Sequence, residues 1–515
     1  MRILYKIANN LFRIVKKILK LLTSRMVIIG VALLLEFCWL AGIMMQLNEK
    51  SVYINYAVTI LSLIAVLSII NNPKMNPGYK LMWAVCILAL PVTGICLYGI
   101  LGHSSVARKF RTHYDTVLLS QGGVLGEEEE TRKKLEEENI LAAGQSSYLT
   151  NYAHYPVYEN TETEYYPLGD VWFEHFIEEL KKAEHYIFME YFIISEGYLW
   201  DTVLEILKEK AAAGVDVRVI YDDFGCVTTL PYQYYKSLQQ MGIKCAAFNQ
   251  FRPVLNVILN NRDHRKIAVI DGHTAFTGGI NLADEYINRK ERFGHWKDSG
   301  ICLHGEAVWS FTVMFLQMWS TITGVECNFE SYRPEIYHEE AFKKDGFVQP
   351  YGDSPLDGET VGEHVYLNII SQAKKYLYIF TPYLIPDNET LTALCMAAKR
   401  GVDVRIVTPG IPDKKIVYIL TQANYEILLE SGVQIYQYTP GFIHSKSFVC
   451  DDEVATVGTI NMDYRSMYLH FECGVWMYGS SAVAQVKEDA LTTFEQCEPV
   501  SYTHLRAHET LMNLV

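Results

Sequence analysis

Two short words in this chain combine residues that can do phosphorus chemistry. His264-Arg265-Lys266 is followed by Asp271, and His444-Ser445-Lys446 by Asp451, so both read HxKx4D and their histidines lie 180 residues apart. Beyond each comes a glycine turn and an asparagine, TGGIN ending at Asn281 and VGTIN ending at Asn461, and each asparagine stands 17 residues after its histidine. A single word of this kind carries little information, whereas two copies inside the same longer pattern argue for a duplicated functional unit. On a strand the side chains at i and i+2 share a face, so each histidine points the same way as its lysine. If the duplication brings the pairs together, the pocket holds two imidazoles, two ammonium groups and two amides. That set suits a phosphodiester. The lysines and amides donate to non-bridging oxygens, one imidazole attacks phosphorus, and the other protonates the departing alkoxide and then activates the incoming alcohol. The lysines already supply positive charge, so neither a metal nor another cofactor is expected. Asp271 and Asp451 complete the motif and count among the catalytic candidates, but their expected role is to anchor the turn after each strand or to pair with a nearby cation.

The elements that must position these residues are themselves repeated. Ala183 to Ile194 (AEHYIFMEYFII) has the pattern of Ala373 to Ile385 (AKKYLYIFTPYLI), a helix end and then a β-rich run entering a loop. Each copy leads through a helical segment to nearly the same word, GVDVRV from Gly214 and GVDVRI from Gly401. Helical patterns alternating with short branched strands predict α/β units with a mixed, mostly parallel sheet in each. The expected boundaries are a first domain over 166–345 and a second over 346–499, preceded by a charged linker over 102–165. Within the first, Asp222-Asp223-Phe224-Gly225 reads as a loop after a strand, since no glycine-rich loop or HRD segment supports a kinase reading.

The charge is split along the chain. Residues 1–111 hold 13 of the 45 Lys and Arg and two of the 59 acids, Glu36 and Glu49, so this part carries +11 and the rest −25. A region at −25 is a poor nucleic-acid binder, because such binding needs a basic surface that releases counterions. Three apolar stretches, Met26 to Leu47, Tyr53 to Ile70 and Leu81 to Leu101, have the length of a membrane span. Basic residues flank both ends, and the positive-inside rule then asks for an even number of crossings. Glu36 in the first stretch favours two spans, over 53–71 and 81–101, with the first stretch interfacial; three spans are the alternative. Residues 1–25 carry seven basic side chains and apolar positions at helical spacing, a pattern for a helix lying on an anionic leaflet or for a plain basic flank. The 11 cysteines include no CxxC pair, which favours buried thiols over disulfides or a zinc site.

At this point the residues resemble a known family. The doubled HxKx4D with its following asparagines resembles the phospholipase D superfamily, and within it the bacterial cardiolipin synthases. The likeness runs from the segment at Asn76 (NPGYKLMWAVCILALPVTGICLYGILG) through EYFI at Glu190, NRDHRKIAVIDG at Asn261, GGINLADEYI at Gly278, TPYLIP at Thr381 and GTINMDYRSMYLHFE at Gly458. It implies two phospholipase D-like α/β/α domains behind N-terminal transmembrane helices, in a multi-pass protein of the bacterial cell membrane. The implied reaction turns two phosphatidylglycerol molecules into cardiolipin and glycerol through a phosphatidyl-histidine intermediate, with phosphatidylglycerol and membrane lipids as partners and no nucleic acid. On that resemblance His264 is the nucleophile and His444 the acid/base, although spacing alone does not distinguish them. Lys266, Lys446, Asn281 and Asn461 bind phosphate, and Glu472 and Asp298 orient imidazoles. Two positions depart from the family, which usually has arginine at Lys297 and asparagine at His470. The DGxxAR mark of the unrelated, metal-dependent enzyme of the same activity is lacking. A hydrolase releasing phosphatidic acid, transfer to another alcohol, and a membrane-attached nuclease are the alternatives. At the other end, Val500 to Thr510 (VSYTHLRAHET) resembles a translated sequencing-library adapter, so residues 500–515 are expected to be foreign to the natural protein.

Overall fold

The repeated words fold as repeated sheets. The computed structural model describes residues 25–44, 49–73, 75, 77–101, 105–120, 123–126, 129–250, 261–338 and 340–501. The amphipathic segment expected over 1–25 and the foreign tail expected over 500–515 therefore lie almost wholly outside the described residues. What is described forms two units, one running to Phe110 and one from Arg111 onward.

In the second unit, the first half has strands β1 (Thr161–Tyr166), β2 (Tyr186–Tyr191), β3 (Asp216–Asp222), β4 (Lys244–Phe248), β5 (Arg262–Asp263), β6 (Lys266–Ile270), β7 (Thr274–Gly278), β8 (His295–Lys297) and β9 (Gly300–Gly305). The second half has β10 (Phe347–Asp353), β11 (Tyr376–Phe380), β12 (Asp403–Pro409), β13 (Gln434–Tyr438), β14 (Gly441–Ile443), β15 (Ser447–Cys450), β16 (Val454–Gly458), β17 (His470–Tyr478) and β18 (Cys497–Pro499). The sheet orders are β1-β9-β7-β6-β2-β3-β4 and β10-β17-β16-β15-β11-β12-β13-β18, so β2 matches β11 and each HxK strand, β6 or β15, lies beside it.

The sheets are mixed, as expected, but they are not mostly parallel. Along these orders only β2-β3-β4 and β11-β12-β13 run parallel, and β5 pairs in parallel with β17 to one side of the second. The reason is local. After the helical crossovers the chain returns through tight turns at 271–273 and 451–453, and a tight turn can join only antiparallel neighbours. Helix Val308–Thr323 is buried on nearly every face and touches strands of both sheets, which explains why its sequence is apolar all round.

The expected charged linker over 102–165 is also corrected. It contains helices Glu129–Glu138 and Ile140–Asn151, and β1 begins inside it at Thr161. Leu135, Ala142, Ala143 and Leu149 of these helices join the second half's core, while the glutamates face outward. Asn139 separates the two helices and caps the second, accepting from the amides of Leu141 and Ala142.

The N-terminal unit has helices Arg25–Met44, Glu49–Ile70, Pro77–Ala89 and Pro91–Leu101. The third apolar stretch is thus two helices rather than one span, because Pro91 has no N–H to continue the first. At 13 and 11 residues these pieces reach about 20 and 16 Å, short of a hydrocarbon core of about 30 Å. Among the described residues, no helix is long and apolar enough to cross a membrane. Glu36 is buried within this unit and accepts from the amide of Thr93 at 2.7 Å, in the first turn of Pro91–Leu101.

Candidate active site

Two short strands build the site by crossing between halves. β5, which runs into His264, pairs in parallel with β17 at His470 and Phe471. β14, which runs into His444, pairs in parallel with β8 at His295 to Lys297. The histidine amides continue these ladders: His264 N–H donates to Phe471 O at 2.9 Å, and His444 N–H to Lys297 O at 2.7 Å. Each acceptor immediately precedes a carboxylate, Glu472 or Asp298. Backbone register therefore sets each imidazole against the acid of the opposite half. His264 Nδ1 lies 2.9 Å from Glu472 Oε2, and His444 Nδ1 lies 2.6 Å from Asp298 Oδ2.

Burial dominates the electrostatics. It holds the His264 imidazole well below the ordinary histidine range despite the pull of Glu472. It brings His444 down to about 4, with Lys446 acting in the same direction. Glu472 is also buried, yet His264 and His470 keep it well below the usual carboxylate range, so it is ionised. An ionised acceptor at Nδ1 fixes the proton there and turns the lone pair of Nε2 outward, the tautomer a nucleophile needs. Burial likewise lowers Lys266 to about 8 and Lys446 to about 7. Lys266 acts electrostatically on both His444 and Lys446, so the two motifs share one pocket. Lys266 Nζ donates to its own histidine's carbonyl at 2.6 Å, and Lys446 Nζ lies 2.8 Å from His444 Nδ1.

The two asparagines are buried beside the pocket but already engaged. Asn281 accepts from the Ile193 amide at 3.0 Å and donates to Tyr286 Oη at 2.7 Å, and the Tyr286 ring packs edge-on to His444. Asn461 Nδ2 donates to Ser466 Oγ at 3.1 Å, while its Oδ1 is buried without a hydrogen-bond partner. Each amide keeps one further N–H for a phosphate oxygen. Asp271 and Asp451 are placed elsewhere. Asp271 lies five residues beyond Lys266, about 16 Å along the strand. Asp271 accepts from the amides of Glu184, His185 and Tyr186, and Asp451 from those of Lys374, Lys375 and Tyr376, all at 2.7–2.9 Å. Through these bonds each aspartate clamps the start of β2 or β11.

Several contacts were not legible beforehand. Thr459 Oγ1 donates to Glu472 Oε2 at 2.5 Å, and Ser445 Oγ to Ser299 Oγ at 2.8 Å across the halves. Arg265, between His264 and Lys266, turns away into a buried ion pair with Glu190 at 2.5 Å and Asp263 at 3.2 Å. Lys297, one of the two departures, donates to Asp489 Oδ1 at 2.7 Å and to Pro167 O at 3.1 Å, tying helix Ser481–Phe494 to the first half. The other, His470, enters the site: its ring is 5.4 Å from that of His264 and its Nδ1 is 3.4 Å from Glu472 Oε1. His264, His470 and Glu472 offer donor atoms within 4.8 Å of one another, a set able to ligate a metal ion, although the neighbouring Lys266 opposes a cation there. The second such group among the described residues is Glu363, Asp387 and Glu389.

The chain is also similar to known proteins. A family profile described as "Cardiolipin synthase, PLD-like domain" matches residues 176–319 and 366–493, and one described as "Phospholipase_D-nuclease N-terminal" matches 60–103. A cardiolipin synthase of Halalkalibacterium halodurans is 34% identical over 438 residues, covering 84% of this chain and 86% of its own. One from Geobacillus thermodenitrificans is 33% identical over 495 residues, 95% of this chain and 96% of its own. An uncharacterized protein of Streptococcus mutans is 43% identical over 464 residues, 88% of this chain and 97% of its own. Among solved structures, the phosphatidylserine synthase of Haemophilus influenzae superposes with a TM-score of 0.52 at 17% identity, covering 70% of this chain and 92% of that one, a likeness of fold.

Proposed function

The chain belongs to the cardiolipin synthase family of phospholipase D-like proteins, and from that premise we propose that it transfers the phosphatidyl group of one phosphatidylglycerol to another, releasing glycerol. The observation that carries the reading is the crossed pairing, in which each histidine of one pocket is oriented by the other half's carboxylate. His264 Nε2 attacks phosphorus, the P–O bond to glycerol breaks, and His444 gives that oxygen its proton. A hydroxyl of the second phosphatidylglycerol then loses its proton to His444 and attacks the phosphatidyl-histidine, forming cardiolipin and freeing His264. An arriving phosphodiester anion favours the protonated forms of His444 and both lysines, which burial otherwise lowers. Asn281 and Asn461 add N–H donors to the same oxygens.

The N-terminal unit attaches the enzyme to the cell membrane. Leu33, Leu34, Phe37, Ile60, Ile64 and Leu67 are all exposed on its helices, an arrangement that lipid stabilises and water does not. The test is to give the membrane form labelled phosphatidylglycerol and identify products. Cardiolipin and glycerol in equal amounts are expected. Phosphatidic acid alone would assign a hydrolase, a different phosphatidyl alcohol another acceptor, and DNA cleavage without lipid turnover a nuclease; any of these overturns the reading.

A further inference from the structure

Helix Lys415–Ala423 breaks two rules for a helix that faces water. Ile416, Ile419 and Leu420 are 77%, 59% and 49% exposed, and their i, i+3, i+4 spacing puts them on one face. Thr421 is its one buried residue, accepting from the Leu384 amide at 3.2 Å, and Tyr418 Oη accepts from Gln437 Nε2 at 2.7 Å, so two polar contacts tie the helix to the fold while its apolar face stays outward. Exposed Lys414 and Lys415 stand at its N-terminus, where the helix dipole disfavours cations. Neither feature stabilises the fold in water. Both suit a helix lying on an anionic bilayer, with apolar side chains among the acyl chains and lysines at the phosphates.

Its place in the fold gives that surface a use. Asp413 Oδ2 accepts from Tyr383 Oη at 2.7 Å, and Lys414 Nζ donates to the same hydroxyl at 3.2 Å. The amides of Gly410 and Ile411 both donate to Gly441 O, in β14, which runs directly into His444. Ile411 is itself 41% exposed. The segment from Ile411 to Leu420 thus begins on the strand that delivers the acid/base histidine. Lys414 Nζ also lies 3.4 Å from Asp413 Oδ2, an ion pair at the helix start, and Lys415 adds a second exposed cation there.

From this geometry we infer that helix Lys415–Ala423 docks on the surface of an anionic phospholipid bilayer and seats the mouth of the two-histidine pocket against it. The inference rests on the phosphatidyl-transfer reading, because a lipid substrate must leave a bilayer to reach His264. It is separate from the N-terminal attachment: that unit keeps the enzyme at the membrane, whereas this helix brings the pocket to the leaflet.

The experiment uses the full chain with two forms of phosphatidylglycerol, bilayer vesicles and a short-chain form kept below its micelle concentration. Wild-type enzyme should turn over both. Ile416→Asp combined with Ile419→Asp should lose at least tenfold on vesicles and stay within twofold on the monomeric lipid. Lys414→Gln combined with Lys415→Gln should lose activity on vesicles by a factor that shrinks as phosphatidylglycerol is diluted with a zwitterionic lipid. Unchanged vesicle activity in both variants, or equal loss on the two substrates, overturns the docking role. Wild-type enzyme that turns over neither form overturns the phosphatidyl-transfer reading instead.

Discussion

The two halves of the catalytic unit repeat one plan but support their histidines differently. In the first half β7 ends at Gly278-Gly279, and a Cβ at 279 would lie 1.9 Å from Asp298 Oδ1. In the second half the corresponding residue is Thr459, whose hydroxyl donates to Glu472 at 2.5 Å. Glycine makes room for a short acid pressed against the turn, while threonine holds a longer one by hydrogen bond. The consequences cross over. His264 faces Glu472, an ionised carboxylate supported by Thr459 and with His470 beside its other oxygen. His444 faces Asp298 but also has the Lys446 ammonium 2.8 Å from the same Nδ1. A well-supported anion behind Nδ1 raises the nucleophilicity of Nε2, whereas a nearby cation makes an imidazolium a readier proton donor. This contrast fits the proposed mechanism, with attack by His264 and acid/base work by His444.

The largest expected effect tests that assignment. His264→Ala and His444→Ala should each lower turnover of phosphatidylglycerol by about 10³-fold or more. A phosphatidyl ester of p-nitrophenol separates them, since that leaving group needs no acid. His444→Ala should release one equivalent of nitrophenol in a burst and keep the phosphatidyl group on the protein, and His264→Ala should show no burst. The reverse pattern would exchange the two roles, and equal bursts would break the contrast altogether.

The next effect, on the order of 10²-fold in kcat, comes from the carboxylates. Because they serve the opposite halves, Glu472→Gln should copy the His264 defect and lose the nitrophenol burst. Asp298→Asn should copy the His444 defect and keep it. If each acid supported the histidine of its own half, the two variants would trade phenotypes.

Much of this site was legible in the residue order, and what was not depended on distant pairing. His264, Lys266, His444, Lys446, both asparagines and both orienting acids stand beside or in the pocket, because matched words at matched offsets mark the same place in a duplicated fold. Which histidine each acid serves was hidden, since it depends on β5 meeting β17 and β14 meeting β8. In the sequence His470 stands out only as a departure from the family. Its neighbour His264 is brought near by the same β5–β17 pairing, which no local pattern reports. The glutamates of helix Glu129–Glu138 read as a solvated helix face or a linker, and they do face outward, yet the one leucine among them, Leu135, is buried completely in the second half's core. The parallel sheet was overestimated for a similar reason: helix-linked strands have a clear period, whereas the short strands around each HxK show only as turns.

The smallest effect belongs to the outer ends of the HxK strands, where the halves are alike. Asp271 and Asp451 each clamp three successive amides, and both take a left-handed backbone, with φ of +49° and +57°. Asparagine tolerates that backbone and keeps one acceptor oxygen, so Asp271→Asn and Asp451→Asn isolate the loss of the charge-assisted bonds. Each should cost about 1–2 kcal/mol of stability and lower the thermal midpoint by a few degrees, with turnover at 25 °C within about threefold of wild type. The losses should also match each other, unlike those of the carboxylate and histidine variants. A drop in turnover approaching that of Glu472→Gln at unchanged thermal midpoint would return these aspartates to the chemistry. Unequal losses of stability would instead mean that the asymmetry of the pocket extends along the strands to their far ends.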